Sequence, residues 1–136
     1  MCRESGRIGP VPKQNSPHSL DSALTLRRVA RQQRIVEWLS SAPVPLTSPE
    51  LAQRLRVRVR TVERDLARLR ESGVPIDAVS GVHGGSRLAS VADPRPVRLT
   101  VPEIAALIAS LAALGPTETD SATSAMSALV EALTSH

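Results

Sequence analysis

Between residues 59 and 72, Val62, Leu66 and Leu69 recur at spacings of four and three, while Arg60, Arg64 and Arg68 recur at four and four. Only a helix with one apolar stripe and a separate arginine face satisfies both series. Gly73 supplies a left-handed stop at its end. A helix this short is not stable in water without a surface for its apolar stripe, so its neighbours in the chain must provide one.

Those neighbours carry their own signals. Thr47-Ser48-Pro49-Glu50 reads as a capping box, with Thr47 accepting from the free N–H groups and Glu50 reaching back. Leu51, Ala52 and Leu55 follow at helical spacing, and Val57 closes a short turn. Upstream, Val29, Ile35, Trp38 and Leu39 mark one face of a helix expected from Leu24 to just before Ala42-Pro43, where proline stops it. Past Gly73 the period changes: residues 74–79 read as a strand, 80–85 as a glycine-rich turn and 86–89 as a return strand. The expected fold is mainly α with a small β-hairpin, a winged helix-turn-helix of three helices and a two-stranded wing. Thr100-Val101-Pro102-Glu103 repeats the capping box and opens an apolar helix through Leu114, and a last helix runs from Asp120 to Thr134, giving a C-terminal helical pair. The chain divides into a disordered leader (1–23), the winged domain (24–90), a linker (91–99) and a helical connector and dimerisation segment (100–136).

Charge follows that division. Residues 24–91 hold twelve arginines against six acidic residues, whereas residues 92–136 hold two against five, within a total net charge of +4. The middle of the chain therefore suits a polyanion and the tail does not. Apart from Lys13 the basic residues are all arginine, the side chain with a planar fork for phosphates and guanine edges.

Other classes find little support. The single cysteine, Cys2, lies in the leader, and His18, His83 and His136 are scattered, so no nucleophile–base pair or metal cluster is visible. Gly84-Gly85 lies in a hairpin turn, not between a strand and a helix where it would cradle a phosphate. No run approaches the roughly 20 apolar residues of a membrane span, and no signal peptide is visible. The chain is expected to be cytoplasmic, with no enzymatic activity, metal, cofactor or small-molecule ligand.

Two helices joined by a tight turn, the second bearing arginine outward, suit the DNA major groove. Arg58, Arg60 and Thr61 stand at the leading end, where side chains reach base edges; Arg64 and Arg68 stand where phosphates are nearer. Flanking backbone contacts are expected from Arg28 and Arg31 on the first helix, from Thr47 and Ser48, and from Arg87 on the wing. The same arginine face is also what a solvated helix looks like, with Glu63, Asp65 and Glu71 as partners. Asp65 would repel phosphate, so it is expected to hold a neighbouring helix or orient an arginine.

The run Thr47-x-x-Glu50-Leu51-Ala52-x-x-Leu55-x-Val57-x-x-Arg60-Thr61-Val62-x-Arg64-Asp65-Leu66-x-x-Leu69, then Gly73-Val74-Pro75-Ile76 and Gly84-Gly85-x-Arg87-Leu88, resembles the DeoR-type winged helix of bacterial WYL-domain transcriptional regulators. The resemblance spans roughly 27–90, and residues 98–114 resemble that family's connector helix. It implies sequence-specific binding of double-stranded DNA, usually as a dimer, with Arg60, Thr61 and Arg64 as recognition contacts and Arg87 as a wing contact. The family's C-terminal WYL domain is not found in this sequence. Three positions depart from the family pattern: Arg56 replaces the turn glycine, Arg58 replaces the serine cap of the recognition helix, and Ser86 replaces a wing aromatic, which should weaken packing of the hairpin. The resemblance points to a regulator, with repression expected over activation. The alternative is a truncated, non-sensing partner that heterodimerises with a full-length WYL-type regulator.

The tail adds a further expectation. No charge lies between Glu103 and Glu118, so the helix there needs cover from the last helix, the body or a second chain. A homodimer through residues 100–136 would place two recognition helices about one DNA turn apart.

Overall fold

A computed structural model describes residues 9, 17–89, 94–115 and 119–135. Helix α1 spans Pro17–Ser41, α2 Ser48–Leu55, α3 Val59–Glu71, α4 Val101–Ala112 and α5 Asp120–Thr134; strands β1 (Ile76–Val79) and β2 (Gly85–Leu88) lie between α3 and α4. The mainly helical winged architecture with a C-terminal helical pair is as expected.

Two boundaries differ. Order was expected to begin near Leu24, yet α1 starts at Pro17. Proline is pre-organised for the first helical position, and the residues after it are compatible with a helix although residues 17–27 stay exposed. A solvent-bathed first stretch of helix carries no apolar periodicity to mark its start. The rest of the expected leader, apart from an exposed Gly9, lies outside the described residues. The wing also differs: β1 begins two residues late, Val74 being used by the end of α3, and β2 is shifted one residue earlier, taking in Gly85 from the expected turn and leaving out Ala89.

Each helix end has a local cause. Thr47 and Glu50 close the capping box of α2, with Pro49 in its first turn. At the end of α3, Gly73 N–H donates to the Arg70 carbonyl (3.0 Å) and Val74 N–H to the Leu69 carbonyl (3.0 Å), with Gly73 at φ 98°. This is a Schellman motif, and Val74 packs back on the core. The end of α2 has the same pattern, from Arg56 N–H to Gln53 (3.3 Å) and Val57 N–H to Ala52 (3.0 Å), but its left-handed residue is Arg56 at φ 55°.

Ile35 and Leu39 of α1, Leu51 and Ala52 of α2, Val62, Leu66 and Leu69 of α3, Leu46 and Ile76 form one buried core. Trp38, Leu55, Val57, Val74 and Leu88 pack around it. The strands pair antiparallel, with Ile76 opposite Leu88 and Asp77 opposite Arg87. Leu46 and Ser86 exchange backbone hydrogen bonds (2.9 and 2.7 Å), which staples the wing to the segment before α2. A Cβ on Gly85 would sit 2.5 Å from the Leu46 carbonyl oxygen, so that approach requires glycine.

Helices α4 and α5 pack on each other, with Ile104 and Ala122 buried. Leu111, Thr119 and Ala122 face Val29, Val36 and Leu69 across an apolar cleft of about 340 Å³. Most of α4 stays open to solvent, including Val101 (65% exposed) and Leu107 (44%).

Candidate nucleic-acid interface

Burial along α3 sorts its side chains. Val62, Asp65, Leu66 and Leu69 are buried, Thr61 is half-buried, and Arg60, Glu63, Arg64, Arg68 and Glu71 are exposed. The turn adds Arg56 and Arg58, also exposed. Among the described residues, no hydrogen bond or ion pair engages the side chains of Arg56, Arg58, Arg60, Arg64 or Arg68. Five guanidinium groups, from the turn before α3 to its last turn, thus keep their donors for solvent or a ligand. Glu63 and Glu71, the expected partners of a merely solvated arginine face, form no ion pair with them.

The start of α3 is built for charge more than for stability. Arg58 sits at the N-cap in extended backbone (φ −73°, ψ 148°) and makes no side-chain cap. Serine, threonine or aspartate there would contribute about 1 kcal/mol. Arg56 carries a left-handed backbone, which costs a non-glycine residue roughly 1–2 kcal/mol. Arginine thus stands at one position whose backbone favours glycine and at another where a capping side chain would stabilise the helix.

Asp65 does not lie on the exposed arginine face of α3. Its fully buried carboxylate accepts from Arg31 Nε, from Arg31 Nη2 at 3.2 Å and from Gln32 Nε2 at 3.2 Å. The expectation that Asp65 holds a neighbouring helix fits this geometry. Arg31, expected as a DNA-backbone contact, gives its Nε and Nη2 to Asp65, joining α1 to α3. Arg28 is half-buried one turn earlier on α1.

Thr47 and Ser48 open α2. The Thr47 hydroxyl hydrogen-bonds Glu50 Oε2 (3.0 Å) and accepts from the Glu50 N–H (3.2 Å), while the Thr47 N–H donates to the same carboxylate (2.7 Å). Its first task is the cap, and Ser48 is half-buried beside it. Those bonds from Thr47 hold the Glu50 carboxyl below its ordinary pKa, with Arg54 adding a smaller push in the same direction.

On the wing, alternation turns Ser86 inward and Arg87 outward. Arg87 stands opposite Asp77 and its Nε lies 3.9 Å from the carboxylate, both side chains being exposed. Arg70 is the residue that sequence reasoning missed. Its Nε donates to the Ile76 carbonyl (3.1 Å) and its Nη2 to Ser86 Oγ (3.4 Å), tying the end of α3 to both strands. The wing expected to be loosened by Ser86 is thus held by hydrogen bonds. The available signal was a small polar residue on the inward face of β2, with a long cationic donor in the last turn of the helix.

Residues 31–86 match the family model of the HTH domain. The match supports a DNA-binding helix-turn-helix in this chain, of the kind that regulates transcription. It begins at Arg31 and ends at Ser86, so it takes in both members of the Arg31–Asp65 pair, the whole of α2 and α3, and β1. No solved structure matches the chain. Among the described residues no group of three His, Cys, Asp or Glu side chains is placed to hold a metal, and no helix is long and apolar enough to cross a membrane.

Proposed function

We propose that this chain is a sequence-specific, double-stranded-DNA-binding regulator of DeoR type, acting in the cytoplasm as a repressor. Helix α3 enters the major groove. Arg60, with the exposed part of Thr61, reads base edges, and Arg58, Arg64 and Arg68 fix the helix against phosphates. Arg28, Ser48 and Arg87 contact the flanking backbone. A small body occupying a promoter blocks it sterically, which is why repression is the reading adopted. The observation that carries the proposal is the set of unengaged arginines on the exposed face of α3, opposite the buried Val62–Leu66–Leu69 stripe, within a segment matching a DNA-binding family.

The exposed apolar residues Val101, Leu107 and Val130 of α4 and α5 support a homodimer through residues 100–136. A twofold axis there presents α3 twice, to two half-sites. Light scattering on the eluting protein reads the mass directly. A dimer that Leu107→Glu converts to a monomer supports this interface, and a monomeric wild type removes it in favour of a heterologous partner.

Selection of bound duplexes from a random pool tests the main reading. Recovery of a common motif supports sequence-specific binding, and recovery of unrelated sequences alone contradicts it. A reporter carrying the motif in its promoter then separates repression from activation.

A further inference from the structure

Among the described residues, five have left-handed or related positive φ values: Gly73, Gly81, Gly85, Gly115 and Arg56. Among the described residues, glycine takes this backbone everywhere except in the turn between α2 and α3. The hydrogen bonds that Arg56 makes there come from its backbone alone, and they match those that Gly73 makes at the end of α3. Nothing in the turn's geometry calls for a side chain. The guanidinium of Arg56 is exposed, and among the described residues no acidic group or hydrogen-bond acceptor holds it. It stands in an alternating series, Arg54, Arg56, Arg58 and Arg60, all exposed, of which Arg54 lies over the Trp38 ring. The position is thus unfavourable for folding and favourable for presenting a planar cation beside the leading end of α3.

We propose that Arg56 is a phosphate-binding residue, gripping the DNA backbone at the rim of the groove that α3 enters and adding sequence-independent affinity while lowering the stability of the free domain. This rests on the DNA-binding reading above. Arginine suits the task because its fork meets two phosphate oxygens at once. A base-reading role is disfavoured, since a residue in the turn stands back from the helix end that penetrates the groove.

Arg56→Gly separates the two halves of the proposal because it removes strain and charge together. Its thermal midpoint should rise by about 4–8 °C. Its affinity should fall roughly tenfold, by the same factor on the selected duplex and on an unrelated one. The slope of log affinity against log salt should become shallower by about 0.9, the signature of one phosphate contact. Arg56→Lys should keep the wild-type midpoint and most of the salt slope. An Arg56→Gly protein with wild-type affinity and slope overturns the contact, and one that loses affinity on the selected duplex alone overturns the phosphate assignment. An unchanged or lowered midpoint overturns the claimed loss of stability. Should wild type bind no duplex at all, it is the DNA-binding reading that has failed, a result distinct from each of these.

Discussion

Arg31 on α1 holds the fully buried carboxylate of Asp65 on α3 through both prongs of its guanidinium, and Gln32 donates a third hydrogen bond from the next position. The pair fixes the arginine-bearing helix against the body of the domain, thirty-four residues away in sequence. Removing one partner strands the other. Arg31→Ala leaves a buried carboxylate with a single donor and should cost about 3–5 kcal/mol in urea unfolding, a large part of a small domain's stability. Arg31→Met with Asp65→Leu should cost less than Arg31→Ala alone, since no uncompensated charge remains. A single-mutant loss under about 1 kcal/mol would contradict the bracing role.

Arg70 ties α3 to both strands of the wing. Arg70→Ala should cost about 1–2 kcal/mol for its two hydrogen bonds, with the loss concentrated in the hairpin. Hydrogen exchange should show faster exchange at the paired amides of β1 and β2 and little change in α2. Uniform acceleration across the core would mean that Arg70 supports the whole domain and not the wing.

Asp77 competes for Arg87. The pair is exposed on both sides and contributes under about 1 kcal/mol to stability. Asp77→Ala should leave the melting midpoint almost unchanged while tightening duplex binding severalfold, because it frees Arg87 and removes one negative charge from the wing. Fluorescence anisotropy at low salt checks this. Unchanged or weakened binding would remove Arg87 from the interface.

Two capping boxes make the fold sensitive to acid. Hydrogen bonds from the Thr47 backbone and side chain lower the Glu50 pKa from its ordinary 4.5, and those from Thr100 do the same for Glu103. A carboxylate with a depressed folded-state pKa contributes stability that is present above pH 4.5 and lost as pH falls through the lower, folded value. Unfolding midpoints should therefore drop below pH 4.5. Glu50→Gln with Glu103→Gln should flatten that drop; an identical acid limb in the double variant would assign it to other carboxylates.

Much of this arrangement is legible in the amino-acid sequence. The Val62–Leu66–Leu69 stripe fixed α3 because a period of 3.6 has one buried face, and Thr47 with Glu50 announced α2 because orphan N–H groups need acceptors. Asp65 could be assigned inward because a carboxylate on the arginine face would repel phosphate. The start of α1 was not legible, since an exposed turn leaves no burial pattern. Nor was the engagement of Arg31. Arg28 and Arg31 look alike in sequence, and only the crossing of α1 over α3 decides which one meets Asp65. Arg70 escaped for a related reason, because its acceptors lie on a hairpin whose register is set by the tertiary staple between Leu46 and Ser86.

The central claim is that the exposed arginines of α3 bind DNA. Arg60→Ala with Arg64→Ala removes two of them without touching the core, so the variant should keep the wild-type melting midpoint. Anisotropy titrations on a selected duplex, at several salt concentrations, should then show roughly 100-fold weaker binding and a shallower salt slope. Equal affinity of the folded double variant and wild type would contradict the account.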